Sequence, residues 1–142
     1  MRLVVDASVA LKWFLRELPH EPDLDRAEAV AAALNRADTQ LFAPVHWTAE
    51  VIGVLARVRP ALVDSALLAL DDAHPKVIHG MPILKRAAEL TIALNHHLFD
   101  TLYHAVALEE GATLVTADEA YLGKAKGLGN IVRLADFRSQ PD

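Results

Sequence analysis

Two stretches decide how this chain reads: Leu3-Val4-Val5-Asp6-Ala7-Ser8 near its start, and Ala112-Thr113-Leu114-Val115-Thr116-Ala117-Asp118 near its end. Each is a short apolar, β-branched run of the kind that forms a buried strand. Each is followed within a residue or two by an aspartate and a change of pattern. Strands buried on both faces belong to parallel sheets covered by helices, and such sheets bind ligands beyond the carboxyl ends of their strands. Placed side by side and parallel, these two strands bring Asp6 and Asp118 to one edge.

Working outward, residues 9–18 read as a helix ended by Pro19 and Pro22. Asp23 or Asp25 caps a second helix to about Arg36, with Ala27, Val30, Ala31 and Leu34 on its apolar face. Residues 40–43 form the next strand, and Pro44 suits the entry to a helix over 45–59, with Ala49, Val51, Ile52, Val54, Leu55 and Val58 at helical spacing. Pro60 breaks that helix, and another covers 61–72. Residues 76–79 are a weak strand. Helices follow over 82–95 and 100–109, the latter stopped by Gly111. After the strand at 112–116 come a short helix over 118–126, a turn at Gly127 and Gly129, a last strand over 131–134 and a frayed end beyond Phe137. Alternating short strands and helices predict an α/β fold, a three-layer α/β/α sandwich around a mostly parallel sheet of about five short strands. All of residues 1–142 fall into a single domain.

The composition suits that fold and removes several functions. Of 142 residues 53% are apolar, ample for a core and incompatible with wholesale disorder. Cysteine is absent, which excludes disulfide scaffolds, Cys-ligated zinc, iron–sulfur clusters and thiol nucleophiles. No run approaches the roughly 18 consecutive apolar residues of a membrane span, and Asp6 interrupts the first apolar run too early for a signal peptide. The reading is cytoplasmic, with no membrane partner. Lys and Arg number 14 against 19 Asp and Glu, a net charge of −5, which argues against a general nucleic-acid coat but not against a nuclease whose carboxylates hold metal.

Four acids stand out. Asp6 and Asp118 follow strands, Asp100 begins a helix after the apolar Leu98-Phe99, and Glu50 interrupts an apolar helical segment, an unfavourable position unless the acid is paired or metal-bound. Singly, each has an ordinary explanation: helix capping for Asp100 and Asp118, a strand-end turn for Asp6, a solvated helix edge for Glu50. Together, an oxygen-rich group with few cations suits Mg²⁺ or Mn²⁺, one or two ions, and such ions activate water for phosphodiester hydrolysis. Ser8 and Thr116 add hydroxyls that orient a carboxylate or a water.

The segments Val4-Val5-Asp6-Ala7-Ser8-Val9-Ala10-Leu11, Ala43-Pro44 with Glu50-Val51 and Leu55, Asp100-Thr101-Leu102-Tyr103 with Ala105 and Ala107, and Leu114-Val115-Thr116-Ala117-Asp118 resemble, in that order, the PIN-domain ribonucleases, and among them the VapC-type toxins. The resemblance spans about residues 3–137. It implies a metal-dependent endoribonuclease, usually a homodimer, neutralised by a small antitoxin protein through which alone DNA is contacted. The family's acidic positions fall on Asp6, Glu50, Asp100 and Asp118 as catalytic residues, with Asp6, Asp100 and Asp118 as metal ligands, Glu50 as a further ligand or water-positioning group, and Thr116 and Ser8 in support. No acid is missing.

Other residues read more plainly. His104, four residues after Asp100, shares its helix face but reads as a partly exposed helix residue. His96-His97 read as helix-end residues. Lys12 and Arg16, Arg57 and Arg59, Lys85-Arg86, and Lys124 with Lys126 are either phosphate contacts or ordinary surface. Trp13 and Trp47 read as packing residues. The apolar excess of the 61–72 helix suggests a dimer or antitoxin interface. Two rival functions remain: a metal-dependent phosphatase, weakened because Ser8 stands where the haloacid-dehalogenase pattern wants a second aspartate, and a catalytically silent nucleic-acid-binding module of the same fold.

Overall fold

The computed structural model describes residues 1–139; of the end expected to fray beyond Phe137, residues 140–142 lie outside the described residues. Five strands, β1 (Arg2–Val5), β2 (Gln40–Pro44), β3 (Lys76–Ile78), β4 (Thr113–Thr116) and β5 (Ile131–Arg133), form one sheet in the order β3-β2-β1-β4-β5, every pairing parallel. Leu3, Val4 and Val5 are all buried, as are Leu114, Val115 and Thr116, because helices cover both faces of the sheet there. The expected three-layer α/β/α architecture is what the chain adopts.

The helices are α1 (Ala7–Ala10), α2 (Leu24–Leu34), α3 (Trp47–Val58), α4 (Val63–Asp72), α5 (Met81–Leu94), α6 (Leu98–Glu110) and α7 (Glu119–Ala125). α6 lies across β1, β2 and β4 and α5 packs along it, while α1 meets β4 and α3, and α3 packs on α4. Seven consecutive residues of α6, Thr101 to Ala107, are buried, so this helix is covered nearly all round, as a central helix must be. It ends at Gly111, whose φ of 60° is the left-handed conformation that a C-terminal glycine accepts without strain. No helix among the described residues is long and apolar enough to cross a membrane.

Three expectations need correction. The helix over 9–18 is one α-helical turn, α1, followed by a 3₁₀ turn over Leu11–Trp13. Tertiary bonds override helix propensity here: the Trp13 indole N–H donates to the Ala27 carbonyl at 2.8 Å, and the Lys12 ammonium donates to Glu21 at 2.7 Å and to the Pro22 carbonyl at 3.0 Å. Pro44 ends β2 rather than opening α3. The pairing of β2 with β1 stops at Val4–Phe42, so the proline's missing N–H falls beyond that ladder. Asp23 takes the N-cap position of α2, but with φ 58° and no side-chain cap bond.

His104 is also unlike its expectation, being fully buried. Its Nε2–H donates to the Gly129 carbonyl at 2.8 Å, so Nδ1 is bare and accepts from the Tyr121 hydroxyl, also at 2.8 Å. It is a strut between α6, α7 and the turn before β5. Burial pushes its pKa below the usual 6.5. The folded imidazole therefore stays neutral where the unfolded one takes up a proton, and stability falls as pH drops below about 6.5. His104→Ala is expected to destabilise the protein by about 2–4 kcal/mol, through an orphaned hydroxyl and carbonyl and a cavity, and to flatten that acid-side loss; urea unfolding between pH 5 and 7.5 measures both.

Candidate active site

β1 has β2, which follows it in the chain, on one side and β4 on the other. The connections leave in opposite directions from this point, and a crevice opens there at the carboxyl ends of the strands. The Asp6 N–H donates to the Val115 carbonyl at 3.0 Å, carrying the β1–β4 ladder one residue past the strand. Its side chain then caps α1, accepting the Ser8 N–H at 3.4 Å, a short bond from the Ser8 hydroxyl, and the Thr116 hydroxyl at 3.3 Å, all on Oδ2. The two hydroxyls are themselves oriented by the loop after β4: the Ala117 N–H donates to Ser8 Oγ at 3.1 Å and the Asp118 N–H to Thr116 Oγ1 at 3.0 Å. With their lone pairs engaged by amides, both hydroxyls point their protons at Asp6.

The other three acids repeat the arrangement with different donors. Asp118 caps α7, its Oδ1 accepting the Tyr121 N–H at 3.0 Å. Asp100, in the first turn of α6, accepts from His96 Nε2 at 2.8 Å on Oδ2. Glu50, in the first turn of α3, accepts the Tyr103 hydroxyl at 2.6 Å on Oε2, with His46 Nε2 at 3.4 Å from the same oxygen. In each carboxylate one oxygen is held by a protein donor, and among the described residues none donates to the other: Asp6 Oδ1, Glu50 Oε1, Asp100 Oδ1 and Asp118 Oδ2 are open.

The electrostatics show that these groups converge. Asp6 has its pKa raised to about 6, first by burial and then by the Glu50 and Asp100 carboxylates, against the lowering effect of the Ser8 bond. Tyr121 is pushed up by burial and then by Asp100, Asp6 and Asp118; Tyr103 by burial, Glu50 and Asp6. Such a field is unfavourable on its own and would be offset by a divalent cation, for which carboxylate oxygens are suitable ligands. The donor set therefore fits a metal. Asp100 and Asp118, joined by His96, each place one ligand atom within 4.8 Å of the others. Asp6 and Glu50 stand outside that tight group, and the Asp100 and Glu50 charges reach Asp6.

Sequence reasoning read His96 as a helix-end residue, Lys124 as a phosphate contact or ordinary surface and Tyr103 only as part of a family-like segment; the structure sets all three beside the acids or their partners. His96 lies four residues before Asp100 and His104 four after; only the former bonds the acid, because it sits in the turn ahead of α6 while His104 faces α7. Lys124, in the last turn of α7, donates to the Asn95 carbonyl at 2.8 Å and meets His96 Nδ1 at 3.2 Å. Asn95, His96, His97 and Lys124 line a hollow of about 290 Å³. Phe99, apolar as it is, is 64% exposed, its ring 5.2 Å from that of His46. Trp47 is buried, as a packing residue should be. Lys12 is buried in its bond to Glu21, and Arg16 pairs with Glu28, Arg59 with Glu17 and Arg86 with Glu109, so these cations are engaged within the fold. A larger cavity of about 770 Å³, bordered by Trp13, Leu34, Phe42, Ala73 and Lys76, lies at the opposite edge of β2 and β3 and, among the described residues, gathers no carboxylate cluster.

Fold and site together define an α/β protein that collects carboxylates at the switch point of a parallel sheet. The chain belongs to the PIN domain family, whose sequence pattern matches residues 3–127. It is 35% identical over 124 residues to ribonuclease VapC3 of Mycobacterium tuberculosis, a match covering 83% of each chain. It shares its fold with a toxin–antitoxin complex from Klebsiella pneumoniae (TM-score 0.70, 15% identity, 93% of this chain and 97% of that one). VapBC-1 from nontypeable Haemophilus influenzae also has this fold (TM-score 0.64, 16% identity, 96% and 100% covered).

The raised pKa of Asp6 carries a prediction about the metal-free protein. Its folded value of about 6 exceeds the ordinary 3.8, so the associated stability is present below about pH 4 and is lost as pH rises through 6. Asp6→Asn removes that penalty while its carbonyl oxygen still accepts the Ser8 and Thr116 hydroxyls. The variant is expected to be more stable than wild type at pH 7 in chelator, by up to about 3 kcal/mol, with no advantage at pH 4. Thermal unfolding at the two pH values is the measurement.

Proposed function

We propose that this protein is a metal-dependent endoribonuclease that hydrolyses RNA phosphodiester bonds, and the toxin of a type II toxin–antitoxin pair. The observation that carries the reading is the set of four converging carboxylates, each with one oxygen held and one open, in a chain whose curated relative is a ribonuclease. Asp6, Asp100 and Asp118 hold Mg²⁺ or Mn²⁺, one or two ions, and Glu50 completes the ligand set or accepts the proton of the attacking water. The bound cation supplies a lowered water pKa and compensation for charge developing on the phosphate. Ser8 and Thr116 keep Asp6 Oδ2 occupied, so that Oδ1 faces the crevice; Tyr103 does the same for Glu50.

In-line attack by water at phosphorus, with departure of the 3′ oxygen, leaves a 3′-hydroxyl and a 5′-phosphate and makes no use of the ribose 2′-hydroxyl. Selection of RNA therefore rests on groove contacts and on the shape of unpaired strands. The protein acts in the cytoplasm as a homodimer, and a small antitoxin neutralises it. Toxin–antitoxin complexes among its structural neighbours support that partner. DNA is met only through the antitoxin. Leu67 and Leu68, exposed on α4, suit such a protein interface.

The reading is tested by incubating the purified, antitoxin-free protein with total RNA in Mn²⁺, in Mg²⁺ and in chelator. Discrete fragments that require the cation are expected. Asp100→Asn and Asp118→Asn should fold normally and cleave at least about 100-fold more slowly. Undiminished cleavage by either variant, or cleavage in chelator, would contradict the assignment, and hydrolysis of a chromogenic monoester without RNA cleavage would replace it with a phosphatase.

A further inference from the structure

We propose that Lys124 and His96 form a two-residue relay that positions Asp100 by fixing the proton of His96 on Nε2. The inference rests on the reading of Asp100 as a cation ligand. An ammonium group can only donate, so the contact at 3.2 Å between Lys124 Nζ and His96 Nδ1 makes Nδ1 an acceptor. The ring proton then sits on Nε2 and is donated to Asp100 Oδ2 at 2.8 Å. Lys124 is itself held, donating to the Asn95 carbonyl at 2.8 Å, where Asn95 ends α5 in the left-handed conformation with φ 49°. The ring has little freedom, since its side chain is only 9% exposed and it packs against Tyr121, with ring centres 4.9 Å apart. α7 thus reaches through Lys124 to the turn between α5 and α6, and that turn aims the carboxylate on α6.

His96 also stands within 4.8 Å of ligand atoms of Asp100 and Asp118, which raises a different role, direct ligation through Nε2. The Lys124 contact argues against it, because a nitrogen that carries the ring proton has no lone pair for a metal. In the relay Oδ2 of Asp100 is the oxygen turned toward His96, and Oδ1 is left for the cation. Neutral imidazole donating to a carboxylate in this way orients the ligand without joining it, and loss of such an orienting partner typically weakens metal binding 10–100-fold.

Three readouts test this. In the metal-free protein, ¹⁵N-resolved histidine NMR should show His96 with a bare Nδ1 and a protonated Nε2; Lys124→Met should mix the two tautomers. Saturation with Mg²⁺ should leave the Nε2 proton in place. Calorimetric Mn²⁺ affinity should fall about 10–100-fold in His96→Ala and recover in His96→Gln, whose amide N–H can donate from a similar position. KM for RNA at saturating Mn²⁺ should be unchanged in both variants. A proton on Nδ1, or loss of the Nε2 proton on Mg²⁺ binding, would overturn the relay, as would a Gln variant no better than Ala. The tautomer measurement needs neither cation nor RNA, so it decides the relay even if the wild-type protein binds Mn²⁺ and cleaves no RNA, the outcome that would sink the ribonuclease reading instead.

Discussion

The parallel pairing of β1 with β4 is the constraint on which the site depends. It puts Val5 opposite Val115, and the next step of the ladder, Asp6 N–H to the Val115 carbonyl, fixes where the first acid leaves the sheet. From there the loop after β4 can reach back: Thr116 and Ser8 hydroxyls converge on Asp6 while the amides of residues 117 and 118 hold those hydroxyls in place. A slip in this pairing would separate Asp6 from Thr116 and from Asp118 together. The buried α6 supplies the rest, presenting Asp100 in its first turn and Tyr103 one turn later, the latter bonded to Glu50 on α3.

Gathering like charges works against folding, and the donors show how the chain manages it. Each carboxylate is stabilised by a different protein donor on one oxygen: hydroxyls for Asp6 and Glu50, a backbone amide for Asp118, an imidazole for Asp100. Among the described residues no Lys or Arg bonds any of the four. An ammonium or guanidinium inside the crevice would satisfy the charge and compete with a cation for the same oxygens. Donors without a full positive charge steer the carboxylates and leave the charge unbalanced, and the raised pKa of Asp6 reflects its burial first and the neighbouring Glu50 and Asp100 charges after it.

Much of this was legible beforehand because it depends on patterns that repeat in sequence. Apolar residues at 3–5 and 114–115 marked inner strands, and acids just beyond them marked the edge where the carboxylates gather. Glu50 stood out as an acid among apolar neighbours. What could not be read depended on distant partners. The segment 9–18 has helical composition, but the Trp13–Ala27 and Lys12–Pro22 bonds draw it into a short turn. His96 and His104 are equally spaced about Asp100, and only the packing of α7 decides that one serves the acid and the other braces the core. Nothing in the sequence sets Tyr103 apart; it is buried, and its hydroxyl meets Glu50 only because α3 and α6 are neighbours in space.

The central claim is that the open oxygens of these carboxylates together receive a divalent cation. Anomalous diffraction from a crystal of the protein grown in Mn²⁺ tests it most directly. The account predicts a manganese peak in the crevice between the ends of β1 and β4, ligated by Asp6 Oδ1, Asp100 Oδ1 and Asp118 Oδ2, with the held oxygens still on their protein donors. A peak away from this crevice, or ligation through the oxygens that Ser8, His96 and Tyr121 occupy, would contradict it.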